Sequence, residues 1–311
     1  MCQPCGCHKK VFKMNYLGVR EGGPPPRDQE MITLAAWQGI VGLIQSSLRT
    51  GLFAEHFPDR SCTDEGFGEA ITGCNERQFY LRLAGDHPRI HVPLDPSNLP
   101  DTVHALELVE FCYQHASLPV NSEAHGYFAH RHHLHFRPDL GRDQFVTEVN
   151  SILARNHLAY ELQGSGEVRR LLPPVLREAL ASSEFTSEDN ELNRLLESAR
   201  TKFNSPDFHS RYDALRDLWD GFERLKTIEP PRDNQRQSST ALIARVSQEP
   251  LVQRMLDTEM RIELNDFGNG FFIRHANAEQ VRLQTSEEID YLFHRLFAVI
   301  RLLLRSTGRG R

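Results

Sequence analysis

The sequence lacks an apolar run of about 18 residues, the length from which a membrane-spanning helix can be suspected. Its longest apolar stretches, residues 32–48 and 289–304, carry polar residues at helical spacing. Near the start, Lys9, Lys10 and Lys13 are not followed by an apolar block, so this segment does not have the pattern of a secretory signal. We therefore expect a cytoplasmic protein with no membrane partner.

Cysteine is scarce, with six residues in 311, and three of them lie together at Cys2, Cys5 and Cys7. This spacing is a poor framework for disulfides in a chain of this size, so we expect reduced thiols.

The chain has no excess of basic residues either. The net charge of −6 argues against a broad surface that coats nucleic acid, although a local basic patch stays possible.

One such patch follows Asp290, after which the sequence has no acidic residue. Arg301 and Arg305 are our candidate RNA contacts within it. The alternative is a solvated helix face that complements the helix dipole. The arginines of this stretch are Arg295, Arg301, Arg305, Arg309 and Arg311.

Hydrophobic periodicity and turn residues divide the chain into four parts. We predict a flexible, Cys-rich leader over residues 1–28, a mostly helical α+β domain over 29–183, a helical bundle over 184–306 and a basic tail over 307–311. In the α+β domain we predict helices over 31–52, from Asp101, over 139–157 and over 175–181. We also predict a β-hairpin around Gly164 and Gly166, and short extended pieces at 79–83 and 89–94.

Beyond Ser183 every substantial segment has a 3.6-residue period. Helices begin at Ser187 and near Tyr212, a third covers 242–262 with a kink at Pro250, and Thr285 with Glu288 forms a capping box for the last. Four amphipathic faces are buried most simply against one another. The fold class is therefore mainly α, with a C-terminal helical bundle.

A polar cluster at residues 265–275 lies between predicted bundle helices. Its apolar residues 271–273 would anchor the segment in the core, and Arg274 and His275 would emerge at its edge. Imidazole transfers protons near neutral pH, and guanidinium holds phosphate oxygens in a bidentate grip. The alternative is a structural role, in which Arg274 pairs with an acid such as Asp266 and His275 forms its hydrogen bonds at a helix end.

Three segments, 212–227, 269–275 and 290–297, resemble in order and spacing the C-terminal domain of AbiJ-like HEPN proteins of bacterial phage defence. Residues 145–153 and the hairpin at Tyr160 resemble the N-terminal region of that family. The resemblance implies a bundle of four or five helices, preceded by a sensing or regulatory domain. It also implies that the chain is a homodimeric, metal-independent endoribonuclease or an RNA-binding effector of the abortive-infection or toxin type. An active enzyme would cleave RNA by attack of a 2'-hydroxyl, leaving a cyclic phosphate and a free 5'-hydroxyl. His275 would carry protons, Arg274 would stabilise the phosphorus centre, and Asn269 would orient either one.

The family signature has a second His a few residues after the Arg, but residues 279–281 are Glu, Gln and Val. Either His275 takes the catalytic role itself, or the domain is a degenerate binding module. The alternative function is then a non-catalytic interaction protein that dimerises through its bundle. Glu223 and Lys226, three apart on one helix, are supporting residues, although an exposed ion pair explains them equally simply.

Two groups of residues have side chains that could bind a metal. Residues 2–8 offer Cys2, Cys5, Cys7 and His8, which suit zinc, but no second ligand pair lies nearby, so a disordered leader is preferred. A second group could place His133 and His135 on one side of a strand. No acid lies between Glu123 and Asp139, so a polar loop is preferred there, with an RNA-contacting patch as a third possibility. On balance the sequence predicts no cofactor and no metal. The second group is His125, His130, His132, His133 and His135.

Overall fold

The computed structural model describes residues 26–60, 62, 71–126, 130–271, 273 and 281–311. Over these ranges the chain is mainly helical with small two-stranded antiparallel sheets, which confirms the predicted fold class at this level. None of the described helices combines the length and the apolar character needed to cross a lipid bilayer. Residues 1–25 of the predicted leader lie outside the described ranges.

In its described residues, the N-terminal unit contains four helices and three strand pairs. Its helices are α1 (Leu34–Thr50), α2 (Glu76–Asp86), α3 (Thr102–His115) and α4 (Pro138–Arg155). Its strands are β1 (Pro58–Asp59) with β2 (Gly73–Cys74), β3 (Leu118–His125) with β4 (His130–Arg137), and β5 (Tyr160–Leu162) with β6 (Val168–Arg170).

Helix α1 confirms the prediction made for residues 31–52. The Thr33 side chain accepts a hydrogen bond from the Ala36 amide at the start, and Gly51 ends the helix at a φ of 79°. That left-handed conformation favours glycine. The buried face, which includes Trp37 and Ile40, belongs to the N-terminal core, and α1 packs against α4.

The prediction of an extended piece at residues 79–83 was wrong, because these residues lie in α2. Asn75 caps this helix, and Phe79 and Leu83, four residues apart, are its buried residues. Phe79 stacks on Phe53 with ring centroids 5.3 Å apart. Core packing thus selected the helix where the short apolar run was ambiguous. Residues 89–94 have no strand partner within the described ranges.

Both hairpins of the unit have antiparallel pairing. The β5–β6 pair confirms the predicted hairpin, and Gly166 adopts a φ of 96° in its turn. The polar loop predicted for the His-rich stretch was wrong, since that stretch forms β3 and β4. Paired backbone groups satisfy the hydrogen bonds that a loop would leave to water.

The C-terminal bundle begins earlier than predicted. Its helices are α5 (Pro174–Ala181), α6 (Asn190–Phe203), α7 (Phe208–Leu225), α8 (Gln235–Val246), α9 (Pro250–Thr258), α10 (Leu264–Gly270) and α11 (Ser286–Ser306), with a π-helical turn (Glu259–Glu263) between α9 and α10. Leu172, Leu176 and Leu180 belong to the bundle core, whereas Val168 belongs to the N-terminal core. The two cores therefore part near residue 170 rather than at residue 183.

Helix α7 lies at the centre of the bundle and packs against α6 and α11, and α11 also contacts α8. The Phe203 and Phe293 rings stack with centroids 3.7 Å apart. The predicted capping box of Thr285 and Glu288 is confirmed at the start of α11. Asp189, rather than Ser187, caps α6.

Two further features of the bundle were not predicted. The long third helix is divided, since α8 ends before Pro250 and α9 runs into the π-helical turn. The basic tail contacts the bundle, because Gly310 forms a bridge with Phe185 and Arg309 pairs with Glu229 at 2.6 Å. Pairing with the chain before α6 fixes the tail to the bundle.

A partly buried ionic network joins the two units. The Glu30 carboxylate accepts hydrogen bonds from Arg211 at 3.1 Å on each oxygen, from Arg170 Nε at 2.7 Å and from the Ser286 hydroxyl at 2.7 Å. Arg170 also donates to Asp290 Oδ1 at 2.9 Å. Burial raises the pKa of Glu30, but the hydrogen bonds from Arg211 and Ser286 and the two arginine charges outweigh it and lower the pKa to about 2.

Candidate functional site

The predicted catalytic pair, Arg274 and His275, lies outside the described residues. The structure describes Phe271 and Ile273 before this pair and the chain from Val281 after it. Ile273 is 7% exposed and belongs to the bundle core, and Phe271 packs against that core. Phe271 also bridges Val281, whose amide donates to the Gly270 carbonyl at 3.1 Å. The two ends of the segment that contains the pair are thus held together after α10.

Asp266 and Asn269 lie on α10, so the prediction that they sit in a segment between helices was wrong. Leu264 and Gly268, four residues apart, form the buried face of this helix, and both polar residues are exposed. Gly268 lies so close to the Trp219 indole that a Cβ there would be 2.1 Å from Cζ2. Contact with Trp219 therefore turns the polar face of α10 outward.

The supporting residues Glu223 and Lys226 form the expected ion pair, at 2.7 Å, but Lys226 is buried rather than exposed. Its ammonium also donates to Asn265 Oδ1 at 3.0 Å and lies 4.8 Å from the centroid of the Phe222 ring. The stem of the lysine follows the apolar surface, as long cationic side chains do. This cluster joins α7 to α10 and so positions the chain that leads towards Arg274.

The C-terminal arginines form a smaller basic patch than predicted. Arg295 pairs with Glu259 at 2.8 Å and with Glu263 at 2.9 Å, and the carboxylates raise its pKa, chiefly through the hydrogen bond to Glu259. Arg309 is paired as described above. Of the two predicted RNA contacts, Arg305 is exposed and Arg301 is half-buried with Nη2 3.4 Å from the Ser182 hydroxyl.

A cleft of 840 Å³ runs between α3, the β5–β6 hairpin and helices α5 and α6. Charges of both signs line it, including Glu110, Glu161, Arg177 and Arg200. Glu110 accepts from the Val168 amide at 2.6 Å, and burial raises its pKa. None of the described residues that the sequence predicted for the site lines this cleft, and its mixed charges favour no ligand of one sign.

The structure also brings together three side chains of types that can bind a metal, and the sequence did not predict this combination. Cys62, which follows β1, lies beside His125 of β3 and His132 of β4. The sequence hypothesis paired His133 with His135 instead, and it left Cys62 as an ordinary reduced thiol. Gly126, which directly follows β3, was a local signal for the turn of the hairpin. No local pattern in the sequence connects Cys62 to this hairpin.

Compared with known proteins, the chain matches no family model, no curated relative and no solved structure.

Proposed function

We propose that the chain is a HEPN-type, metal-independent endoribonuclease whose N-terminal unit senses a signal or regulates the bundle. The observation that carries the proposal is the anchoring of Ile273 in the bundle core directly before Arg274 and His275. Because Ile273 is fixed in the core, the two residues that follow it can take fewer positions, and catalysis requires such a restriction. The resemblance to AbiJ-like HEPN proteins supports the same conclusion.

The helical bundle supports the proposal as well. A catalytic segment must be held in place without being covered. The bridge between Phe271 and Val281 closes its two ends, and the Lys226–Asn265 hydrogen bond fastens α10 to α7. Asn269, which would orient a catalytic side chain, lies on the exposed face of α10.

The proposed reaction needs proton transfer and charge stabilisation, but no metal. His275 takes the proton of the attacking 2'-hydroxyl, and Arg274 stabilises the extra charge on the phosphate oxygens. The 2'-oxygen forms its bond to phosphorus as the bond to the 5'-oxygen breaks, and a second proton goes to that leaving oxygen. A second copy of the chain supplies this proton in a homodimer.

The test is RNA cleavage by the purified full-length chain in the presence of EDTA, with end-group analysis of the products. We expect cyclic phosphate and 5'-hydroxyl ends, and a loss of about 10²-fold or more in rate for Arg274→Ala and for His275→Ala. Arg254→Ala and His209→Ala, which replace exposed residues of the same types elsewhere in the bundle, are the matched controls. Equal cleavage by all variants would refute the assignment.

A second candidate is a non-catalytic protein that dimerises through its bundle, and one surface favours it. Leu251, Met255 and Ile262, spaced four and seven residues apart, are 66%, 60% and 57% exposed. This spacing places them along one side of α9 and the π-helical turn. A second copy of the same stripe is a suitable cover for it in a symmetric dimer.

A further inference from the structure

A triangle of ligand atoms lies between β1 and the β3–β4 hairpin. The Sγ atom of Cys62 is 3.7 Å from His125 Nδ1 and 3.2 Å from His132 Nε2, and the two ring nitrogens are 3.3 Å apart. His132 is fully buried, while Cys62 and His125 are half-buried. The cluster is separate from the bundle site, because all three residues belong to the N-terminal unit.

Two of these three distances match one face of a zinc tetrahedron. Zinc–nitrogen bonds of about 2.0–2.1 Å and zinc–sulfur bonds of about 2.3 Å at tetrahedral angles place two nitrogens about 3.4 Å apart and a nitrogen and a sulfur about 3.6 Å apart. The nitrogen pair and the distance from Cys62 to His125 lie within about 0.1 Å of these values, and the distance from Cys62 to His132 is about 0.4 Å shorter.

Hydrogen bonds account for two sides of the triangle, from His132 Nε2 to Cys62 Sγ and from Cys62 Sγ to His125 Nδ1, but not for the third side at the same time. A ring nitrogen of histidine carries either one proton or one lone pair. Each of the two nitrogens nevertheless has two polar neighbours in the triangle. A metal ion accepts one lone pair from every corner at once and so satisfies all three atoms together.

We propose that Cys62, His125 and His132 bind one zinc ion. Thiolate with two imidazoles is a donor set that zinc prefers, and hard cations such as magnesium select oxygen donors instead. Three protein ligands leave one tetrahedral position for water or an added donor. On binding, the Cys62 thiol releases its proton to solvent and both imidazoles coordinate in the neutral form.

The bound ion fastens the β3–β4 hairpin to the segment that follows β1. Within the described residues, β2, at the end of that segment, contacts β4 of the hairpin. His125 is 63 residues from Cys62 in sequence, and His132 lies on the same hairpin as His125, so the ion closes one long loop. Closing a long loop restricts the unfolded chain and stabilises the folded one.

The test measures zinc bound to the full-length, tag-free chain after dialysis against a weak chelator and reloading with zinc alone. All proteins carry serine at positions 2, 5 and 7, so zinc held by those N-terminal thiols is not counted. We expect one zinc per chain. Losing an outer-shell partner of a ligand typically costs about 10–100-fold in affinity, so Cys62→Ser and His132→Ala should lose at least that much.

Cys74→Ser and His135→Ala are the matched controls, because these residues lie on β2 and β4 outside the triangle. They should keep one zinc per chain. Cobalt(II) gives an independent readout, with tetrahedral ligand-field bands and a thiolate-to-cobalt charge-transfer band that Cys62→Ser removes. Circular dichroism establishes that each variant is folded. Absence of stoichiometric zinc in the parent, equal zinc in all variants, or no thiolate band would overturn the proposal.

Discussion

Replacement of Glu30 tests most directly whether the ionic network between the two units stabilises the folded chain. The Glu30 carboxylate is 24% exposed and contacts Arg211, which is 2% exposed. Glu30→Gln preserves the size of the side chain and one carbonyl oxygen but removes the charge. Glu30 is the carboxylate that the buried Arg211 contacts. Its replacement leaves the guanidinium beside a neutral amide and the Ser286 hydroxyl, so the folded state loses more than one exposed ion pair would give.

The magnitude follows from the lowered pKa of Glu30, which falls from 4.5 to about 2. Each pKa unit corresponds to about 1.4 kcal/mol, so the ionised carboxylate stabilises the fold by about 3 kcal/mol at neutral pH. We expect Glu30→Gln to lower the free energy of unfolding by about 2–3 kcal/mol, since the amide oxygen keeps part of the hydrogen bonding.

The pH dependence has a definite sign. A carboxylate whose pKa is lowered on folding stabilises the protein above the ordinary pKa of 4.5, and this stabilisation is lost as the pH falls from there towards 2. Glutamine does not titrate. The difference between the parent and Glu30→Gln should therefore shrink by about 1 kcal/mol between pH 7 and pH 4.

Urea denaturation followed by circular dichroism at both pH values measures this difference. Glu167→Gln is the control, because Glu167 is 63% exposed and pairs with Arg169 at 2.8 Å. An exposed pair contributes less than about 1 kcal/mol, with little change over the same pH range. If Glu30→Gln were as mild as this control, or if its effect grew on acidification, the assigned role of the network would be wrong.

Two further predictions concern the bundle. Gly268→Ala should destabilise the protein by about 1–3 kcal/mol in urea denaturation, because its Cβ meets the Trp219 ring. Gly270→Ala, with open space around the added carbon, should have a much smaller effect, and equal effects would contradict the packing argument. For the apolar stripe of α9, light scattering should give a dimer for the parent chain and a monomer for Met255→Glu. The matched control Met31→Glu, exposed at 72% in the N-terminal unit, should remain dimeric, and a monomeric parent would exclude this interface.

Local sequence patterns were sufficient for several elements. The capping box at Thr285, the glycine at the end of α1 and the β5–β6 hairpin were all predicted, since each depends on residues within a few positions of one another. The two-residue error at the start of α6 and the division of the third helix are also local in origin. Several polar residues near Ser187 can cap a helix, and Pro250 only marks where one has to break.

The misassigned segment at residues 79–83 had a different cause. Phe79 and Leu83 fit either an extended piece or one helix face, and their contacts with distant aromatic residues decided between the two. In the candidate site, the pairing of Glu223 with Lys226 followed from their spacing. The burial of Lys226 did not, because it depends on Asn265 of another helix.

The sequence by itself determined a mainly helical chain with a C-terminal bundle, because helix periodicity and capping depend on residues that are close together in the sequence. Only the tertiary structure decided which distant side chains meet. Glu30 reaches Arg211 across 181 positions, and Cys62 reaches His132 across 70. Such contacts have no local signature, since the free energy that selects them comes from packing and charge pairing in the folded chain.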